Sequence, residues 1–266
     1  MLVLSAMKGN TDSLISCARQ AEQGDGAYKF QIDSILKRQT EAIEALFTDP
    51  AARAAAENEA REMIQEVKSI LHGIELVREC SARSLDLVMS FGERLNCGLL
   101  ARYLNAAGHA AEYVDTRETI VTDDNYGAAA VDYPLTYERL NARINGCAGI
   151  PVVTGFIAAT PDGITTTLGR NGSDFTASIV GAAVRAETIE IWTDVDGVLS
   201  ADPRLVPDAY VIPEVSVQEA MELSYFGAKV IHPYTMIPAV ERNIPILIKN
   251  TRSEERRVGK ECRSRW

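Results

Sequence analysis

The chain has 266 residues, 46% of them apolar, and a formal net charge of −10, which allows one large buried core or two smaller ones. An acidic surface does not attract nucleic acid or an anionic membrane, so neither is expected as a partner. No apolar run approaches the roughly 20 residues that span a bilayer, and the opening MLVLSAMKGNTD lacks the apolar core of a signal peptide, so the expected location is cytoplasmic.

Five cysteines, Cys17, Cys80, Cys97, Cys147 and Cys262, form no C-x-x-C pair, so they predict neither a zinc site nor a disulfide framework. No metal-ligating residues are assigned. His72, His109 and His232 are too far apart in sequence to make a helical ligand pair.

Taken in order, Leu2-Val3-Leu4 reads as a short buried strand ending at Ser5. A small-residue turn follows, in which Thr11 or Asp12 can cap a helix beginning near Leu14. Ile32, Ile35, Leu36, Ile43, Leu46 and Phe47 recur at the spacing of one helix face, and Ala60, Met63, Ile64, Val67, Ile70, Leu71, Ile74 and Val77 repeat the pattern. The spacing predicts an all-helical insert over about 28–82 with a packing role. A further helix is predicted over 85–105, weakened at Gly92, where the neighbouring Glu93 and Arg94 read as a solvated charged pair.

Strand-like Ala111 to Val114, a short apolar stretch at 119–121, a polar loop at 123–125, a helix near 137–144 and, over 151–156, a buried strand followed by a glycine turn come next. Such alternation favours a mainly parallel sheet with helices on both faces.

At 165–177 the sequence TTTLGRNGSDFTA carries a polar strand end through a glycine turn into a helix over 174–185. Gly169 and Gly172 allow backbone angles that a β-carbon forbids, and the helix N-terminus favours an anion. Arg170 offers a planar fork of donors for a carboxylate or phosphate, and Asp174 adds a fixed negative charge. A pocket of both signs suits a zwitterion such as an amino acid, although on the turn alone a plain strand-to-helix connection fits equally well.

Glu187 to Trp192 reads as a strand ending in the turn TDVDG at 193–197. In open parallel sheets ligands sit beyond the carboxyl ends of strands, and carboxylates there can bind hydroxyls or hydrated Mg²⁺. The two turns lie about 25 residues apart, one βαβ step, and are expected on the same sheet edge. Asp202-Pro203-Arg204 forms a rigid turn, a helix over 216–229 delivers Lys229, another helix starts near Pro233, and Ile246 to Ile248 is the last strand. Residues 252–266, RSEERRVGKECRSRW, hold six basic and three acidic residues on an otherwise acidic chain, and are expected to be a non-native or disordered tail. Neither a G-x-x-x-x-G-K-[ST] loop nor a strand followed by G-x-G-x-x-G is present.

SAMKGNTD, FGER, GFI, TTTLGRNGSDFTA, IWTDVDGVLSADPR and FGAKVIHP, in this order and spacing, resemble the catalytic domain of aspartate kinase, a member of the amino-acid kinase family. The resemblance covers nearly all of 1–251, and the helical insert is most similar to the kinase arm of bifunctional aspartokinase/homoserine dehydrogenases. It implies an α/β three-layer sandwich with a mainly parallel sheet between helices. The activity it implies is transfer of a phosphoryl group from ATP, with Mg²⁺, to the side-chain carboxylate of L-aspartate, the first step toward lysine, threonine and methionine.

Carried over by motif, Ser5, Thr11, Glu93, Arg170, Ser173 and Asp174 would surround aspartate, with Arg170 on the α-carboxylate and Glu93 and Asp174 near the amine. Thr193, Asp194, Arg204 and Lys229 would surround ATP. Arg170, Asp174 and Lys229 would carry catalysis. The full-length protein is expected to be a homo-oligomer.

The family's opening strand and K-F-G-G-T-S loop do not appear, Met1 falling in the next strand, so the chain is expected to be a fragment with impaired activity. Many relatives carry a tyrosine in the nucleotide-side turn where this chain has Leu199. Two other readings are a kinase for another small acid and a truncated, non-catalytic amino-acid-binding fragment.

Overall fold

The computed structural model describes residues 1–201, 206, 208–216, 218–220, 222 and 233–252. The chain divides into two compact units, Met1–Ser173 and Asp174–Trp266. The first holds β1 (Leu2–Leu4), α1 (Asn10–Gln23), α2 (Tyr28–Leu46), α3 (Pro50–Val77), α4 (Ala82–Ala106), β2 (Ala111–Val114), α5 (Tyr133–Asn145), β3 (Ile150–Thr154), β4 (Ile157–Ala159) and β5 (Thr165–Thr167). α6 (Gly172–Val184) leads into the second, which holds β6 (Ile189–Thr193), α7 (Ile237–Val240) and β7 (Ile246–Asn250).

Local sequence sets the helix starts. Asp49 and Ser81 each accept the N–H of the residue three places on, Ala52 and Ser84, to cap α3 and α4, and Asp132 caps α5 through Leu135 N–H. α1 departs from the expected cap: Gly9 takes the N-cap position at φ +81°, and no side chain bonds there. Thr11 and Asp12 lie inside the first turn, where Asp12 instead faces the helix dipole.

The helical insert buries one stripe from each helix. Leu14, Ile32, Ile35, Ile43, Ile64, Val67, Leu71, Phe91 and Leu95, each no more than 2% exposed, interdigitate across α1 to α4. Gln39 is buried with them and donates from Nε2 to the Leu95 carbonyl at 3.0 Å.

The sheet of the first unit has the order β1-β3-β2, with both pairings parallel. Leu4 pairs with Thr154 and Val114 with Val153, so the carboxyl ends of all three strands are nearly level. Beneath it, α4 packs Cys97 and Ala101 against Val152. The expectation that β1 is buried is corrected, because β1 borders this sheet and Leu2 is 38% exposed.

β4 and β5 form an antiparallel hairpin, Ile157 facing Thr167. β6 and β7 pair in parallel, Ile189 with Ile246. The reading of β5 and β6 as one βαβ step is therefore corrected: β5 takes β4 as its ladder partner and β6 takes β7. In the second unit, α6 lies on β6 so closely that a β-carbon at Gly181 would stand 2.6 Å from Ile189 Cδ1. Ser178 Oγ accepts the Ala239 N–H at 3.0 Å and anchors α7 to α6.

Leu71 is wholly buried, whereas Leu76, one and a half turns on in α3, is 69% exposed. Leu71→Ala is expected to lower unfolding free energy by about 3 kcal/mol and Leu76→Ala by less than about 0.5 kcal/mol, measured by urea denaturation.

Candidate functional site

β1 and β3 end side by side, and the Gly155 N–H donates to the Leu4 carbonyl at 2.8 Å. This places Ser5 at the mouth of the sheet, where Asn96 Nδ2 holds its carbonyl at 2.7 Å. The next residue, Ala6, donates its N–H to Glu93 Oε1 at 3.2 Å. Gly92 makes the approach feasible: a β-carbon there would lie 2.8 Å from Ala6 Cβ and 3.7 Å from Thr11 Oγ1. α4 runs through Gly92 without a break, and the glycine there serves close packing.

Glu93 and Arg94 are not the solvated pair expected. Glu93 is 3% exposed, while Arg94 turns to Glu66 at 3.7 Å and stacks on the Phe91 ring at 4.3 Å. The two side chains leave adjacent positions of one helix and so point along different faces. Burial pushes the Glu93 carboxyl up to about 7, opposed in part by the Ala6 amide. Its second oxygen, Oε2, is buried with no hydrogen-bond partner. An orphaned carboxylate oxygen in such a place is ready for a cationic donor.

β5 delivers the second part. The Leu168 N–H donates to the Phe156 carbonyl at 2.9 Å, and the chain turns over through Gly169 at φ +77° and Asn171 at φ +57°. Arg170 stands exposed at the apex of that turn. Ser173 follows, seated on Gly155: a β-carbon at Gly155 would lie 2.7 Å from Ser173 Oγ and 2.9 Å from the Leu4 carbonyl. Ser5, Thr11, Glu93, Ser173 and the Arg170 turn thus gather around the carboxyl ends of β1 and β3. Asp174 lies in the opening turn of α6, with the second unit.

The threonines before the turn form the polar strand end expected, but a buried one. Thr165, Thr166 and Thr167 are 7%, 0% and 0% exposed, because their hydroxyls find Arg117, Thr122 and Asp86 respectively. Asp86 escaped sequence reading altogether. The one available signal was its place seven residues before Glu93, on the same face of α4.

In the second unit, β6 ends at Thr193, whose carbonyl accepts both the N–H and the hydroxyl of Thr251 at 2.9 and 3.1 Å. Thr193 Oγ1 lies 3.5 Å from Asp194 Oδ1, and Asn250 Nδ2 donates to Asp196 at 2.9 Å. Beyond Gly197 the chain folds back, Ser200 bonding to Tyr210 and Ile212 to Val198, with Leu199 bridged to Val211. Arg204 and Lys229 lie outside the described residues, as do Cys262, His232 and the tail beyond Arg252. Among the described residues no group of three or more His, Cys, Asp or Glu could hold a metal ion, and no helix is long and apolar enough to cross a membrane.

The sequence model of the amino acid kinase family matches residues 3–250. A chloroplastic bifunctional aspartokinase/homoserine dehydrogenase 1 of Zea mays is 39% identical over 254 residues, covering 94% of this chain and 27% of that protein. The aspartokinase of Saccharomyces cerevisiae is 32% identical, covering 92% of this chain and 48% of its own length. The chain therefore spans about a quarter to a half of these curated relatives. Escherichia coli aspartokinase III, crystallised with aspartate and ADP in its R-state, superposes with a TM-score of 0.88 at 31% identity over 99% of this chain and 57% of that one. Aspartate kinase of Clostridium acetobutylicum gives 0.73 at 31% identity, covering 98% and 55%. With these likenesses the α/β three-layer sandwich and mostly parallel sheet expected from the motifs are established, and the chain belongs to the amino-acid kinase family, closely matching aspartokinase catalytic domains.

Proposed function

We propose that this chain is the catalytic domain of an aspartate kinase, which moves the γ-phosphoryl group of MgATP onto the side-chain carboxylate of L-aspartate. The observation that carries the reading is the buried Glu93 oxygen left without a partner, on the same side of the first unit, through Ala6, Leu4, Gly155 and Ser173, as the turn that presents Arg170. An amino acid offers an ammonium to the first and an α-carboxylate to the second. Aspartokinase III of Escherichia coli, similar over nearly the whole chain, was crystallised with aspartate and ADP.

In this reading Ser5, Thr11 and Ser173 supply hydroxyls around aspartate, and Asp174 adds a second negative charge for the amine. The acceptor carboxylate has a pKa near 4 and needs no general base at neutral pH. Catalysis is then alignment of two anions and neutralisation of the charge that builds between them. Thr193 and Asp194, at the carboxyl end of β6, together with Arg204 and Lys229 would hold the nucleotide. The donor set fits Mg²⁺: one or two carboxylates beside phosphate oxygens suffice for an ion that keeps most of its waters, and that ion offsets phosphate charge when bound. A cytoplasmic setting and assembly into homo-oligomers would follow for the whole protein.

The test is ADP formation from MgATP with and without L-aspartate, the acyl phosphate being trapped as its hydroxamate. Aspartate-dependent ADP and hydroxamate in equal amounts support the proposal, whereas ADP release indifferent to aspartate refutes it. Calorimetry with Arg170→Ala is expected to show aspartate binding weakened about a hundredfold, with MgADP binding changed by less than about twofold.

Glu93→Gln separates function from stability. A carboxyl raised from 4.5 to about 7 by burial favours folding while protonated, so that contribution is full below pH 4.5 and disappears as pH rises through 7. The Gln variant should therefore be more stable than the parent by on the order of 2 kcal/mol at pH 8 and indistinguishable from it at pH 4. The same variant should lose most of its aspartate affinity at pH 8.

A further inference from the structure

Asp86 is a charged residue with 1% of its surface exposed. Its Oδ2 accepts the N–H groups of Gly127 and Thr167, both at 2.9 Å, and its Oδ1 accepts the Thr167 hydroxyl at 2.9 Å. The donors come from two segments far apart in sequence, the end of β5 and the loop between Thr122 and Val131. That loop is closed on itself, Asp123 Oδ1 accepting the N–H of Ala130 at 2.8 Å and of Asn125 at 3.3 Å. It also holds β5 directly, the Ala129 N–H donating to the Thr167 carbonyl at 3.0 Å. Gly169 then passes so near that a β-carbon on it would stand 3.1 Å from the Gly127 carbonyl.

The chain is thus held three residues before Arg170 by a carboxylate on the same face of α4 as Glu93, seven positions and roughly 10 Å along the helix. Packing alone would be met by an apolar side chain at lower desolvation cost. Three converging donors require an acceptor there, and their geometry fixes both the height of β5 against α4 and the start of the turn.

We propose that Asp86 is a positioning residue, which sets the Arg170 turn at a defined place relative to Glu93 so that the two charged ends of an amino-acid substrate meet a preformed pair. This inference rests on the aspartate-kinase reading of the site. Asp86 touches no substrate; it acts through Thr167 and Gly127. Asparagine can keep both amide bonds through its Oδ1 and turn its Nδ2 to the Thr167 oxygen, whereas alanine leaves three buried donors unpaired.

The experiment compares the unsubstituted chain with Asp86→Ala, Asp86→Asn and Thr167→Val by amide hydrogen exchange without ligand, followed by calorimetry with L-aspartate and with MgADP. Asp86→Ala should accelerate exchange across 165–172 at least tenfold while α1 to α3 stay as they were. It should also raise the Kd for aspartate about tenfold or more and leave that for MgADP within about twofold. Asp86→Asn should restore both readouts. Thr167→Val, which removes one donor of the three, should give a smaller acceleration confined to the same stretch, and it decides the matter if the alanine variant does not fold.

Unchanged exchange at 165–172, acceleration spread evenly through α1 to α3, or an asparagine variant that behaves like alanine would each overturn the proposal. If the unsubstituted chain binds no aspartate, the kinase reading falls, while the exchange arms still decide whether Asp86 pins the turn.

Discussion

The site depends on a carboxylate that folding has made unhappy. Glu93 is enclosed by α4 and the turn after β1, one oxygen held by the Ala6 amide and the other bonded to nothing. Keeping a charge there costs free energy, which shows in the rise of its pKa to about 7. A cation brought to that oxygen recovers what burial withholds, so the binding energy for an ammonium is stored in the unliganded fold. Gly92 is the condition for this arrangement, because any larger residue would push the Ala6 turn off the helix.

Everything around Glu93 keeps that turn and its neighbours in place. β1 and β3 end level, Gly155 leaves room for both Ser173 and the Leu4 carbonyl, and Asn96 on α4 ties down the Ser5 carbonyl. From the insert, Arg38 on α2 reaches the Lys8 carbonyl and the Asn10 side chain at 2.8 and 3.1 Å. The helical insert therefore does more than fill space: one of its arginines steadies the segment that carries Thr11. Its own stability comes from the Leu, Ile and Phe stripe shared by α1 to α4, which is why so long an insertion can serve as a rigid support.

Much of this was legible in the sequence. The 3.6-residue spacing of isoleucines and leucines located α2 and α3, and Gly169 and Gly172 marked a turn that takes positive φ at Gly169 and close approach to Phe156 at Gly172. Less legible was anything decided by partners distant in the chain. β4 is three residues long, too short to show a period. Glu93 beside Arg94 looked solvated because two adjacent charges usually are, and only the packing of Gly92 on Ala6 shows otherwise. Thr165 to Thr167 looked like a polar strand end, yet their hydroxyls are consumed by buried partners, Asp86 among them. The β5-to-β6 step failed because spacing of strands says nothing of which strand each will choose as a partner.

Proton release on binding tests the central claim most directly. Calorimetry of L-aspartate binding at pH 7, repeated in buffers of different ionisation enthalpy, counts the protons exchanged. A Glu93 carboxyl with a pKa of about 7 is half protonated there and must ionise fully to hold an ammonium, so the account predicts release of about half a proton per aspartate bound, declining toward zero by pH 9. Binding at pH 7 with no proton released would mean that the amine of aspartate does not meet this carboxylate, and the assignment of the site would be contradicted.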